Sequence, residues 1–77
     1  MNGEKPANFR EMVYNQMPVG VDVSVKEFVS EHWPDKSAWE QNCIANSVYD
    51  AFNYLTTWGK VEKIGDRKTG IRWRRLK

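Results

Sequence analysis

Phe9, Met12, Val13 and Met17 recur at three- and four-residue spacing, a pattern that predicts an amphipathic helix over residues 8–17. Pro18 and Gly20 stop it. Val19, Val21 and Val23 then alternate with Gly20 and Asp22, the period-two pattern of a short strand over 19–23. Ser24-Val25-Lys26-Glu27 has the spacing of a capping box, in which the serine hydroxyl accepts from the glutamate amide and the glutamate carboxylate accepts from the serine amide. A second helix over 25–33 follows, with Val25, Phe28, Val29 and His32 on one side. It ends near Trp33 because Pro34 disfavours helical geometry in the residue before it and offers no amide proton.

Ser37-Ala38-Trp39-Glu40 repeats the capping box, so the chain predicts helix, tight turn from Trp33 to Lys36, and helix again. Nothing breaks the third helix over 38–57, and Ile44, Val48, Ala51, Phe52 and Leu55 form its apolar stripe. At about 100° per residue, Trp39, Asn42, Cys43, Asn46, Tyr49, Asp50 and Asn53 fall on the opposite side. That side is polar and aromatic and holds no Lys or Arg.

After Gly59 the period becomes extended, and residues 60–76 read as a β-hairpin with a loop bounded by Gly65 and Gly70 and with Arg67 and Lys68 at its tip. Ile71 and Trp73 point toward the core, while Arg72 and Arg74 face solvent or a ligand together. With 77 residues the chain closes one modest core, so residues 1–77 are expected to form a single α+β domain.

Charge changes the picture. Residues 1–55 carry four Lys and Arg against eight Asp and Glu, whereas residues 56–77 carry eight against two. The positive field sits in the last third of the chain, where it alternates with apolar residues, as expected of a surface for a polyanion. No apolar run approaches a membrane span, and Met1 to Pro6 lack the layout of a secretory leader, so the expectation is a soluble cytoplasmic protein with no membrane partner. One cysteine, Cys43, and one histidine, His32, fall short of a structural zinc site and exclude an internal disulfide. With no third group to orient them, they make no catalytic set, so an enzyme, a cofactor and a small-molecule substrate are not expected. His32 is read as a partner of a helix carbonyl end, and Trp33 and Trp58 as covers for core edges.

The order of elements resembles the winged helix-turn-helix domains of transcriptional regulators in bacteria, archaea and phages. The resemblance runs through both serine-capped helices, the junction Leu55-Thr56-Thr57-Trp58-Gly59-Lys60-Val61-Glu62-Lys63-Ile64, and the basic hairpin ending Arg72-Trp73-Arg74. It implies double-stranded DNA as partner, with the third helix in the major groove and the wing on the backbone or in the minor groove. Trp39, Asn42, Asn46 and Tyr49 are then the base-facing candidates, an Asn being able to pair bidentately with adenine. Arg67 and Lys68 would enter the minor groove or clamp phosphate. Lys36, Lys60, Lys63, Arg72, Arg74 and Arg75 would hold phosphates.

The helix-three face also supports an alternative, because Glu40 and Asp50 carry the sign that phosphates repel and the aromatic residues suit a protein partner. In that reading the same fold is an interaction module, such as a phage or plasmid protein docking on a host regulator or replication enzyme. Self-association through Tyr14 or the aromatic face of helix three would make a homodimer reading paired half-sites.

Overall fold

The computed structural model describes residues 6–77, with side chains from Phe9 onward. The expectation about a leader over Met1 to Pro6 therefore falls, apart from Pro6, outside the described residues. Three helices and a small antiparallel sheet follow one another as α1 (Pro6–Gln16), β1 (Asp22–Val23), α2 (Val25–His32), α3 (Ala38–Thr57), β2 (Val61–Ile64) and β3 (Arg72–Arg75). The sheet order is β1-β3-β2, so the last strand lies in the middle.

Both capping boxes form. The Ser24 hydroxyl accepts from the Glu27 amide at 3.1 Å and the Glu27 carboxylate accepts from the Ser24 amide at 3.2 Å. Ser37 and Glu40 repeat the exchange at 3.2 and 3.0 Å. Trp33 caps the end of α2, its amide donating to the Val29 carbonyl, and its own carbonyl accepts from Gln41 Nε2 at 2.9 Å. That last bond ties the turn to the second turn of α3 and fixes how the two helices leave it.

The first strand departs from expectation. Val19 and Val21 are 57% and 48% exposed, and only Asp22 and Val23 pair with β3. Gly20 sits at a φ of 76°, which turns the chain and breaks the alternation, leaving Val19 only an isolated bridge to Arg75. Helix α1 begins at Pro6, two residues before the expected start; proline suits a first helical position because its missing amide proton has no partner there anyway.

Val13 and Met17 of α1, Val23 of β1, Phe28 and Val29 of α2, Val48, Ala51, Phe52 and Leu55 of α3, Val61 of β2 and Trp73 of β3 form the core. The stripe read from α3 is its centre. Trp73 meets Phe52 at 5.0 Å between ring centroids and Tyr49 edge-on at 5.6 Å and 87°. Burying an indole removes roughly 150 to 250 Å² from water, about 4 to 6 kcal/mol at about 25 cal/mol per Å². This exceeds the roughly 1 to 3 kcal/mol cost of Trp73 Nε1, which is buried with no hydrogen-bond partner among the described residues.

The tryptophans divide differently from the sequence reading. Trp33 is half-buried against Phe9 and Phe28, as a core-edge residue should be. Trp58, expected in the same role, is 65% exposed and touches Tyr54. It stands at the C-cap of α3, one residue past the last helical position and beyond the buried stripe that ends at Leu55. Trp73→Ala is therefore expected to cost about 3 to 5 kcal/mol, a large part of the total stability of a domain this size, whereas Trp58→Ala should stay within about 0.5 kcal/mol. Urea unfolding followed by circular dichroism measures both.

Candidate nucleic-acid interface

The register of the hairpin sorts its charges between two faces. Directly opposed residues of an antiparallel pair share a side of the sheet. Asp22, Arg74 and Glu62 therefore form one row across all three strands, and Val23, Trp73 and Lys63 form the next row on the opposite side. Buried Val23 and Trp73 mark the second side as the one packed on the helices.

On the outer side the arginines are already engaged. Arg74 Nε donates to Asp22 Oδ1 at 2.7 Å and its guanidinium lies 3.8 Å from Glu62. Arg72 pairs with Glu27 at 2.8 Å and donates to the Asp22 carbonyl at 2.9 Å. Arg75, on the helix side, lies 4.2 Å from the Tyr14 ring centre and donates to the carbonyls of Tyr14 and Met17 at 3.0 and 3.2 Å. It thereby adds a charged donor to the carbonyls at the end of α1, that of Tyr14 also accepting from the Met17 amide. Three of the expected phosphate ligands thus hold the domain together, clamping β3 to β1, α2 and α1.

The remaining candidates stand elsewhere. Lys36, Lys63, Arg67 and Lys68 are exposed and form no salt bridge among the described residues, although the charge of Lys36 acts on the nearby Glu40 carboxyl. Lys60 lies 5.5 Å from the Tyr14 ring, beside the groove between α1 and the end of α3. Lys63 stands opposite Trp73 on the helix side of the sheet, and Trp73 in turn meets Tyr49, so the hairpin and the exposed side of α3 join at this point.

The tip is built by one carboxylate. Asp66 Oδ1 accepts from the amides of Lys68 and Thr69 at 2.9 and 3.0 Å and from the Thr69 hydroxyl at 3.2 Å, while the Asp66 amide donates to Thr69 Oγ1 at 3.1 Å. Gly65 closes the neck at a φ of 83°, where a Cβ would collide with the Gly70 carbonyl oxygen. Arg67 and Lys68 are thus displayed from an ordered turn. Sequence reading found these two cations but not the residues that present them; Asp66 followed three residues later by Thr69 between two glycines is the signal of an Asx-type turn.

Trp39 is 74% exposed and Tyr49 43%, and Asn42, Cys43, Asn46 and Asp50 are exposed with them, so the side of α3 read as free is free. Asn53 is half-buried. Glu40, on its edge, is turned back to its cap, where the Ser37 amide holds its carboxyl below the usual range. Its charge, though exposed, complements the helix N-terminus. His32 Nδ1 lies 2.9 Å from the Phe28 carbonyl and its ring stacks on Phe28 at 4.2 Å, the helix-end role expected of it.

Among the described residues no group of His, Cys, Asp and Glu is placed to hold a metal, and no helix is long and apolar enough to cross a membrane. Cys43 is free and exposed. Compared with known proteins, the chain matches no family model, no curated protein and no solved structure.

Three carboxyls that order this region share a pH signature. Arg72 and the Ser24 amide hold Glu27 below its ordinary value, Ser37 does so for Glu40, and the Thr69 and Lys68 amides do so for Asp66. A lowered folded-state pKa contributes stability that is full above the ordinary carboxylate value of about 4 and is lost as the pH falls through the lower folded value. The melting temperature should therefore hold between about pH 7 and pH 5 and fall below about pH 4, and Glu27→Gln should shrink that fall. Thermal melts followed by circular dichroism across this range check it.

Proposed function

We propose that this protein binds double-stranded DNA without catalysing a reaction, acting as a small transcriptional regulator of winged helix-turn-helix type. The element order α1-β1-α2-α3-β2-β3, with β3 central, supports that layout. The N-terminal half of α3 enters the major groove, presenting Trp39, Asn42 and Asn46, and the hairpin tip lies on the backbone or in the minor groove. One observation carries the reading. Lys36 before α3 and Lys63, Arg67 and Lys68 on the hairpin are exposed and form no salt bridge among the described residues, and the polar side of α3 is exposed with them. Phosphates on both borders of a groove would meet them, while the polar side chains between them reach base edges. Cytoplasmic, DNA-bound residence belongs to this reading.

Trp39 favours a second reading. An indole 74% exposed on the same helix as the exposed Tyr49 is a suitable anchor for a protein partner, in which case the fold serves as an interaction module. The same face, or Tyr14 on α1, would serve a second copy of the chain.

The cations that hold the fold must be left out of the test, since reversing Arg72 would set it against Glu27. The expected result is that Lys63→Glu, Arg67→Glu and Lys68→Glu together abolish binding of a mixed-sequence duplex in fluorescence anisotropy. Trp39→Ala costs less. With about four phosphate contacts, log affinity should fall against log salt with a slope of roughly −3 to −4. Absence of duplex binding even at low salt would overturn the reading and make the protein-partner surface the leading one.

A further inference from the structure

The base-facing side of α3 is unusual in what it lacks. From Ala38 to Thr57 the helix has no Arg or Lys. Those two residue types make the commonest specific contact in the major groove, donating to guanine O6 and N7. The nearby arginines do not supply it, because Arg72 and Arg74 are held by Glu27, Asp22 and Glu62 on the outer side of the sheet. Lys36 stands in the turn before the helix, a position for backbone contact.

What the face does offer is a pair of exposed amides. Asn42 and Asn46 are one helical turn apart, so their Cα atoms are about 6 Å apart along the axis and about 40° apart around it. Each can accept from adenine N6 and donate to adenine N7. A spacing of about 6 Å is roughly two base-pair steps at about 3.4 Å each. Glu40 is committed to its cap, and Asp50, which could accept from cytosine, lies a turn further toward the helix end that leaves the groove. At the hairpin, Arg67 projects from the ordered Asp66 turn, and the narrow, strongly negative minor groove of A-tracts is the one that attracts an inserted arginine.

Resting on the DNA-binding reading, we infer that the protein selects A·T-rich duplex. Asn42 and Asn46 read adenines in the major groove, and Arg67 occupies the adjoining narrow minor groove. Phosphate contacts supply the affinity and the asparagines the selection.

The test is anisotropy with three 20-base-pair duplexes at one salt concentration: one rich in A·T, one rich in G·C, and the A·T duplex with 7-deazaadenine, which lacks the N7 acceptor. The A·T duplex should bind at least about tenfold more tightly than the G·C duplex. Replacing adenine by 7-deazaadenine, or making Asn42→Ala with Asn46→Ala, should each remove about tenfold of that preference. Alanine at two exposed helical positions favours the helix, so the variant folds, and circular dichroism verifies it. Equal binding of the A·T and G·C duplexes, sensitive to salt and lost on reversing Lys63, Arg67 and Lys68, overturns the selection while upholding DNA binding. A preference that survives both 7-deazaadenine and the double alanine variant overturns the asparagine readout. No binding to any duplex overturns the DNA reading itself.

Discussion

Everything in this domain is arranged around the indole of Trp73. It lies in the central strand of the sheet and packs on Phe52 and Tyr49 of α3, so one side chain joins the hairpin to the longest helix. Because strand side chains alternate, burying Trp73 forces Arg72 and Arg74 onto the opposite face. Asp22, Glu62 and Glu27 stand there to receive them. The acidic first part of the chain and the basic last part are thereby brought into contact, and much of the apparent charge asymmetry is used inside the fold.

That internal use decides which charges are left for a partner. A count of cations along the hairpin overstates its attraction for a polyanion, because three arginines are bound to carboxylates, to carbonyls or to the Tyr14 ring. The exposed cations that form no salt bridge among the described residues include Arg67 and Lys68 at the tip, Lys63 and Lys36, and also Lys26, Lys60 and Lys77.

Rigidity has the same local origins. Glu40 closes its capping box, Gln41 holds the Trp33 carbonyl and Asp66 holds the hairpin tip, so the start of α3 and the tip of the hairpin stand on hydrogen-bonded supports. Groups held in place before binding lose less conformational freedom on contact. Such pre-organisation matters most when few side chains carry the selection.

The helices were written in the sequence because their signals are local. Ser24 with Glu27 and Ser37 with Glu40 each mark a helix start within four residues, and the stripe from Ile44 to Leu55 matches the core face of α3. The exposed side of α3 follows from the same periodicity. Period two was legible in the hairpin as well, but it misled at Val19 and Val21, where a positive φ at Gly20 outweighs alternation. Sequence could not tell Arg72, Arg74 and Arg75 from Arg67 and Lys68, since a cation is available or engaged according to which carboxylates and carbonyls stand opposite it. Apart from Glu62 beside Arg74 on the neighbouring strand, those partners lie 45 to 61 residues away along the chain. Local hydrogen bonding and periodicity thus determined the elements, and strand register, a long-range property, decided which charges the protein keeps for itself.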